Sequence, residues 1–348
     1  MPAERRFLVP ELPYPDAPAE QAGELSLAAL SRYWRDPPRD LLRQAAGIGL
    51  DATDADAFDD REPLEARVAP LDRFDRRLLL DALATGADRI AAAPPPWLAR
   101  SGVLPPGAPG ARAYAGARAA AEAALDAARA AIGDAPLSAA PQAIELVLDD
   151  GRRLGGRCER VYRRGDGRRL LFDAQPARPA DFRDLLPFYL DLAVSRLTID
   201  PAFEAVFVEG GEGTRVGRAG TPPLLAALLA QTPVQLAAGL ARLIALWDVR
   251  RARPLPFFPR TAWAYATAAP GERLLRAQRR WHGDGSGWQR GERDYAPGYA
   301  GLFARGASPV DPGSALHADF VAAVAAICAV LDPDRTVLLR EDARGEDA

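Results

Sequence analysis

The segment AIELVLDDGRRLGGRCERVYRRGDGRRLLFDAQPA, residues 143–177, constrains the fold more than any other part of the chain. Apolar residues gather in short runs, and turn residues rich in Asp and Gly separate the runs. The pattern predicts three strands, at 144–148, 154–162 and 169–173. A helical stretch, DFRDLLPFYLDLAVSRL, and a further apolar strand, FEAVFVEG, follow. An antiparallel hairpin that meets a strand–helix–strand unit indicates an α/β fold.

Helical patterns flank this central region on both sides. The first, LSLAALSRYW, has Ser26 as its predicted N-cap, and the motif Asp36-Pro37-Pro38 is expected to end it. Further helices are predicted at 71–92, 111–132 and 315–331 from their apolar spacing. The pairs Tyr33/Trp34 and Phe257/Phe258 are predicted core anchors. We therefore expect four parts: an extended tail (1–24), a helical N-terminal part (25–135), an α/β core with C-terminal helices (136–340) and a tail (341–348).

Composition excludes several classes of enzyme. All 44 basic residues are Arg, so a Walker-type GK[ST] loop, a Schiff-base Lys and a Ser-Lys dyad are excluded. Two Cys and two His are too few for a disulfide framework or a His-based metal cluster. The net charge of −3 gives no global attraction to nucleic acid. The sequence has no apolar run of membrane-spanning length, and its first residues do not resemble a signal peptide. We therefore predict a cytoplasmic protein without membrane contact.

Several motifs resemble one family of DNA-processing proteins. The stretch LSLAALSRYWRDPPRDLLRQ resembles the opening helix of RecB/AddB-type nuclease domains. The stretches REPLEARVAPLDRFDRRLLLDALATG and SGVLPPGAPG are similar to the C-terminal, nuclease-like domain of RecC, the gamma subunit of exodeoxyribonuclease V. The resemblance covers 25–331 and is most specific at 26–44 and 62–86. It implies a restriction-endonuclease-like core of the PD-(D/E)xK type, with a small mixed sheet flanked by helices.

The resemblance also implies where a nuclease site would lie. Active relatives carry an acid on one strand and Asp-x-Lys on the next, which together hold Mg²⁺ and position a water. The matching residues here are Glu159, Asp173 and Gln175. Gln175 is neutral and cannot stabilise developing charge as an ammonium does, so the expectation is a degenerate remnant without cofactor. Residual Mg²⁺ binding at Glu159 and Asp173, which are expected to face one pocket, is the weaker alternative.

Two arginine-rich segments are candidate contact surfaces. The segment 151–170 holds eight Arg against two acids, and it predicts a projecting hairpin that contacts phosphates through Arg152, Arg153, Arg157, Arg163, Arg164, Arg168 and Arg169. Its loop RRGDGRR is a candidate for the element that separates DNA strands in the family. The segment 273–295 mixes Arg with aromatic residues and predicts contact with a partner or a single strand. Its candidates are Arg279, Arg280, Trp281 and Trp288. Solvated faces or core packing would explain either segment equally well.

The resemblance implies a non-catalytic subunit domain of a RecBCD-type helicase–nuclease that repairs double-strand breaks by recombination. Such a domain would contact RecB-like and RecD-like subunits and guide DNA, both as duplex end and as single strands. An active Mg²⁺-dependent exonuclease and a pure protein-interaction module are the alternatives. The orientation of the arginine side chains separates DNA binding from protein interaction alone. Gln175 separates the scaffold from the nuclease.

Overall fold

The structure is a computed structural model that describes residues 23–40, 68–210, 215–217, 223–249, 255–283, 291–294 and 308–340. Its helices are α1 Leu27–Arg35, α2 Val68–Thr85, α3 Pro96–Ala99, α4 Ala108–Ile132, α5 Phe182–Thr198, α6 Pro223–Ala230, α7 Pro233–Val249, α8 Pro259–Ala266, α9 Arg273–His282 and α10 Ala315–Leu331. Its strands are β1 Glu24–Ser26, β2 Ser138–Ala139, β3 Gln142–Val147, β4 Arg153–Cys158, β5 Val161–Arg163, β6 Arg169–Gln175, β7 Ala205–Glu209 and β8 Arg215–Gly217. The chain is therefore a mixed α/β protein.

The strands form two mixed sheets with helices around them. The first has the order β1-β4-β3, with β1 parallel and β3 antiparallel to β4. The second has the order β2-β5-β6-β7-β8, in which only β6 and β7 run parallel. The expectation of one small mixed sheet is wrong in this respect.

The predicted second strand, 154–162, is two strands in different sheets. Strand β4 ends at Cys158, a turn covers Glu159 and Arg160, and β5 begins at Val161. Cys158 and Val161 are both fully buried, so the two ends of the turn are held in the core. Because the turn carries the chain from one sheet to the other, residues before and after it face different surroundings.

The predicted strand–helix–strand unit is confirmed as β6–α5–β7. Both parallel strands are buried along nearly their whole length, which suits a strand covered on both faces. Leu170, Phe172 and Ala174 face the core formed with α2 and α4. Leu171 and Phe207 face the other core, which contains α5. Side chains on this second face of β6 therefore point toward α5.

Helix α5 begins where a pair of acids caps it. The Asp181 side chain accepts a hydrogen bond from the Arg183 amide at 2.8 Å, and the Asp184 carboxylate accepts one from the Asp181 amide at 3.1 Å. This reciprocal arrangement satisfies two amides that the first helical turn leaves without partners. The cap fixes the start of α5 next to the end of β6.

The predictions for the first helix are confirmed. The Ser26 hydroxyl caps α1 through the Ala29 amide, and the helix ends at Arg35, one residue before Asp36. Tyr33 and Trp34 are buried, as are Phe257 and Phe258. Trp34 contacts Phe257 edge-on, with ring centroids 6.2 Å apart. These aromatic residues join α1 to the core around α5.

The second helix is shorter than the pattern predicts. Helix α2 ends at Thr85, and Gly86 follows with φ +66°. The Ala87 amide donates to the Ala82 carbonyl, which closes the helix end. Within the described residues no single helix is long and apolar enough to cross a membrane, while α6 and α7 pass that test only as a pair bent by 103°.

Replacing Gly239 with Ala is expected to destabilise the protein. A Cβ at this position of α7 would lie 2.0 Å from the Tyr189 hydroxyl of α5. We expect a loss of about 1–3 kcal/mol in the free energy of unfolding, measured by urea denaturation. Gly116→Ala in α4 is the matched control, because its Cβ would meet no atom within 4 Å. It should gain about 0.5–1 kcal/mol, and equal effects at both sites would contradict the prediction.

Candidate functional site

Asp173 lies buried at the centre of the candidate site. It pairs in register with Phe207 of β7, two residues beyond Leu171, the last residue of β6 that pairs with β5. Its side chain faces the α5 side of the sheet, and the residue is only 7% exposed. Two arginines hold its carboxylate: Arg76 of α2 through Nε–Oδ1 at 2.7 Å, and Arg160 through Nε–Oδ2 at 2.6 Å. Each carboxylate oxygen therefore already has a charged partner.

Arg160 binds a second carboxylate on the facing helix. Its Nη1 lies 2.5 Å from Oδ2 of Asp191 in α5 and 3.4 Å from the Pro187 carbonyl. One guanidinium thus bridges the strand carboxylate and the helix carboxylate. The four side chains of Arg76, Asp173, Arg160 and Asp191 form what we call the Arg–Asp cluster. It joins α2, β6, the turn after β4, and α5.

The Arg–Asp cluster shifts the titration of its members. Burial raises the pKa of Asp173, but the charges of Arg76 and Arg160 outweigh burial and hold that pKa below its usual value. Burial opposes the charged form of Arg160, yet Asp173 and Asp191 raise its pKa above the usual value. For Asp191, burial dominates over Arg160 and raises the pKa. Asp173 is therefore the ionised carboxylate around which the cluster is organised.

Three members of this cluster were not predicted as site residues. Arg160 was counted only as one of many arginines, and Arg76 lies almost a hundred residues away from Asp173 in the chain. Asp191 offered one usable signal, because it interrupts the apolar run LLPFYLDLAV of a helix that is buried nearly all round. A charge in such a run needs a partner, since burying it alone is costly.

Glu159 lies apart from Asp173. It occupies the turn between β4 and β5, its side chain is 69% exposed, and its carboxylate lies 3.7 Å from Arg157. The expectation that Glu159 and Asp173 face one pocket is wrong, because the turn sends Glu159 to solvent and Arg160 inward. Across the described ranges, no group of three or more His, Cys, Asp or Glu side chains is arranged to hold a metal ion.

Gln175 ends β6 beside the cap of α5. It is 8% exposed, and its Nε2 donates to Asp184 Oδ1 at 3.3 Å. Arg178 contacts the other oxygen of Asp184 at 2.9 Å. Glu209 of β7 lies in register with Gln175. Its carboxylate accepts a hydrogen bond from the Ala180 amide at 3.1 Å. An active relative would carry a Lys at position 175. Here the position holds a neutral amide, which donates a hydrogen bond to the cap of α5.

The arginine-rich segment 151–170 does not form one projecting hairpin. Its first arginines belong to the three-stranded sheet and its last to the five-stranded sheet. Most of them pair with acids: Arg152 with Asp150 and Asp248, Arg153 with Glu145, Arg157 with Glu159, Arg164 with Asp166 and Glu204. These contacts neutralise much of the local positive charge.

Three exposed arginines remain on the β5–β6 hairpin. Arg163 and Arg169 lie directly opposite each other in the antiparallel register, and Arg168 lies in the turn. Arg169 donates to the neutral Gln142 amide oxygen. Within the part of the chain described, none of the three side chains pairs with a carboxylate. Like charges placed opposite each other are unfavourable in an isolated sheet, so this hairpin suits an anionic partner.

The predicted arginine and tryptophan surface is only partly present. Trp281 is 3% exposed and packs on Phe258, with ring centroids 4.6 Å apart. It is therefore a core residue and offers no free face for stacking. Arg279 is exposed on α9 and Arg280 is half-buried. Trp288 lies outside the described residues.

Comparison with known proteins gives the family of this chain. The family model of the RecC C-terminal domain matches residues 22–270. The chain is also 29% identical over 254 residues to the RecBCD enzyme subunit RecC of Mycobacterium tuberculosis, in the strains CDC 1551 / Oshkosh and ATCC 25618 / H37Rv. The match covers 72% of this chain and 21% of each relative, so it spans about a fifth of their length. By its sequence, this chain belongs to the RecC C-terminal domain family.

Proposed function

We propose that the chain is a non-catalytic scaffold and DNA-contact domain of a RecBCD-type helicase–nuclease that processes double-strand breaks for recombinational repair. The observation that carries this proposal is the pairing of both Asp173 oxygens with guanidinium groups. A carboxylate whose two oxygens are occupied in this way is a poor ligand for Mg²⁺, which requires oxygen ligands in a near-octahedral arrangement. Arg160 supplies from within the protein the positive charge that a metal would bring to Asp173.

The other parts of the remnant support the same proposal. Glu159 is exposed and paired with Arg157, and Gln175 is a neutral amide that serves the α5 cap. Nothing at these positions can polarise a phosphate or activate a water. We therefore propose a restriction-endonuclease-like core, built around β6–α5–β7, that binds no cofactor. The rival, a nuclease using Glu159 and Asp173, requires Arg160 and Arg76 to leave Asp173.

The DNA contact that we propose is the β5–β6 hairpin. Arg163, Arg168 and Arg169 are exposed and lie around one tight turn, so they can approach the phosphates of a single backbone together. The paired arginines of the three-stranded sheet favour the second candidate, a domain that only binds proteins. In either case we place the chain in the cytoplasm, in contact with RecB-like and RecD-like subunits and without membrane contact.

Replacing Arg163, Arg168 and Arg169 with Ser is expected to weaken binding to a forked DNA duplex. Binding would be followed by fluorescence anisotropy at about 50 mM and 200 mM salt, with Mg²⁺ present. The wild-type affinity should fall steeply with salt. The triple variant should lose about one unit of salt slope for each phosphate contact removed.

The matched control is the triple variant Arg152→Ser, Arg153→Ser and Arg157→Ser, which removes the same charge from arginines that already have acid partners. It should change DNA affinity much less. Equal losses in both variants would point to general charge, and no binding by the wild type would favour the protein-binding candidate. The same DNA, run on a denaturing gel, should remain uncut. Cleavage that disappears in Asp173→Ala would contradict the non-catalytic proposal.

A further inference from the structure

Helices α7 and α10 pack against each other and leave an open groove on the surface. Its volume is about 500 Å³. The groove is lined by Arg242, Ala245, Leu246 and Val249 of α7, by Ala325, Ala326 and Ala329 of α10, and by Arg335. Helix α10 lies beyond residues 22–270, which match the family model, so only one wall belongs to the matched part of the chain. Apart from the two arginines, the described lining is apolar.

Helix α7 is apolar on its exposed side as well as on its buried side. Its buried residues are Leu236, Gly239, Leu240, Leu243, Ile244 and Trp247. Helical spacing places five exposed residues on the other side: Val234, Ala238, Ala241, Ala245 and Val249. The exposed fraction is 78% for Val234 and 40% for Val249. A helix that is apolar all round is normally buried all round, so this face of α7 has the composition of an interface.

The abundance of alanine in this chain does not by itself explain the apolar face. Helix α4 is also rich in alanine, yet it carries charged residues at exposed or half-buried positions, which include Arg112, Arg118, Glu122 and Asp126. In α7 the charged residues are Arg242 and Asp248, and Asp248 is paired with Arg152 at 2.9 Å. In α10 the stretch VAAVAAICAVL, residues 321–331, contains no charged residue. The two helices that form the groove are therefore less charged than a surface helix of the same alanine content.

The charge of the groove is positive. Arg242 and Arg335 are exposed, and neither side chain forms an ion pair with any residue that the structure describes. None of the described lining residues is an acid. The buried Asp332 carboxylate accepts hydrogen bonds from backbone amides that follow it, and Asp334 lies outside the described lining. Two guanidinium groups beside an apolar floor are complementary to a segment that carries both carboxylates and apolar side chains.

The shape of the groove favours a helix as its occupant. Both walls are helices, so within the described part of the groove no strand edge is available for an extended segment to pair with. Ala325 and Ala329 are four residues apart, and such a row of small side chains lets another helix pack closely along it. The exposed face from Val234 to Val249 is about 22 Å long at 1.5 Å per residue, which a helix of about 15 residues would match.

The same small side chains argue against a membrane surface as the occupant. A helix that lies on a membrane inserts large apolar or aromatic side chains and carries many basic residues beside them. The described lining offers four alanines, Leu246 and Val249, and it has no aromatic side chain. Close packing against another helix makes better use of alanines than insertion between lipid chains does.

We propose that the α7–α10 groove docks an amphipathic helix of a partner protein, with an apolar stripe on the alanine floor and acidic residues that pair with Arg242 and Arg335. This inference rests on the proposed function of the chain as a subunit of a larger assembly. It identifies one surface through which the subunit contacts a partner, and it is separate from the β5–β6 hairpin that we propose as the DNA contact.

The test uses the full chain and a labelled peptide of about sixteen residues, with Leu and Ala at helical spacing on one face and Glu on the others. Fluorescence anisotropy should show binding, and circular dichroism should show that the bound peptide gains helix. The variant Ala241→Gln/Ala245→Gln places polar bulk on the exposed face and should bind the peptide about tenfold more weakly. Its matched control is Ala119→Gln/Ala130→Gln at exposed positions of α4, which should bind like the wild type.

A charge reversal tests the two arginines. Arg242→Glu/Arg335→Glu should weaken binding of the Glu peptide about tenfold and should strengthen binding of a peptide with Lys in place of Glu. The control Arg100→Glu/Arg112→Glu makes the same change at exposed arginines outside the groove and should leave both affinities unchanged. A peptide with Ser in place of Leu should not bind, because charge alone does not hold the segment in the groove.

Four results would overturn the inference. The Glu peptide does not bind; the groove variants bind it as their controls do; sedimentation shows a dimer of the chain that Ala241→Gln/Ala245→Gln dissociates; or the same variant releases the chain from vesicles of phosphatidylglycerol and phosphatidylcholine. Circular dichroism would establish that each variant is folded. Failure here is distinguishable from failure of the proposed function, because forked-DNA binding by the hairpin is measured separately and should be retained in Ala241→Gln/Ala245→Gln.

Discussion

Asp173→Asn is expected to lower the free energy of unfolding by about 3–5 kcal/mol. The substitution keeps the size of the side chain but removes the charge that balances Arg76 and Arg160. Arg160 is then left buried with a single carboxylate, Asp191, whose own pKa is raised by burial. Urea denaturation at neutral pH, followed by circular dichroism, measures this loss.

The pH dependence gives this prediction a second readout. Because the pKa of Asp173 is lowered in the folded state, its stabilising effect is present above its unfolded pKa of about 3.9 and is lost as pH falls through the folded value. The gap between wild type and Asp173→Asn should therefore close in acid. Asp166→Asn, at an exposed carboxylate paired with Arg164, is the control and should change stability much less. Similar losses for the two variants would contradict the role given to Asp173.

Arg160→Met is expected to destabilise the protein by a similar amount, about 3–5 kcal/mol. It leaves Asp191 buried with no partner from the Arg–Asp cluster, while Asp173 keeps Arg76. The pKa of Asp191, already raised in the wild type, should rise further. A group with a raised folded pKa costs stability above that pKa, and the cost disappears as pH falls through it. The defect should therefore be smaller at mildly acidic pH than at pH 8.

Adding Asp191→Asn to Arg160→Met tests the cause of this defect. Neutralising the orphaned carboxylate should recover part of the lost stability at pH 8 and remove the pH dependence, which a double-mutant cycle would quantify. Additive losses would show that the Asp191 charge is not the cause. Arg196→Met serves as a control, because that arginine contacts backbone carbonyls and no carboxylate of the Arg–Asp cluster. Its defect should not diminish in acid.

The local elements of this fold were predictable because short-range signals specify them. Ser26 capped α1 as predicted, and the buried β6–α5–β7 unit followed from apolar runs separated by a helical pattern. Phe257 and Phe258 were recognisable as core residues from their size and apolar character alone. The end of α2 was missed because Gly86, which adopts a positive φ, closed the helix within an otherwise helical pattern.

The candidate site was only half predictable. Asp173 and Gln175 were identified through the family resemblance, which matches them to an Asp-x-Lys motif, and the absence of Lys from the chain already argued against nuclease chemistry. Glu159 was assigned to the wrong environment, because the strand pattern does not show that β4 and β5 belong to different sheets. The sequence likewise contains eight arginines in 151–170, but it does not show that most of them pair with acidic residues.

The sequence by itself determined the β6–α5–β7 unit, the neutral side chain at position 175 and the family resemblance. Only the tertiary structure decided which charges meet. Arg76, Arg160, Asp173 and Asp191 come from four separate elements, and their pairing depends on how α2 and α5 pack against β6. The physical reason is that an ion pair requires its atoms to lie within a few ångström of each other, and sequence spacing does not fix such distances between distant segments.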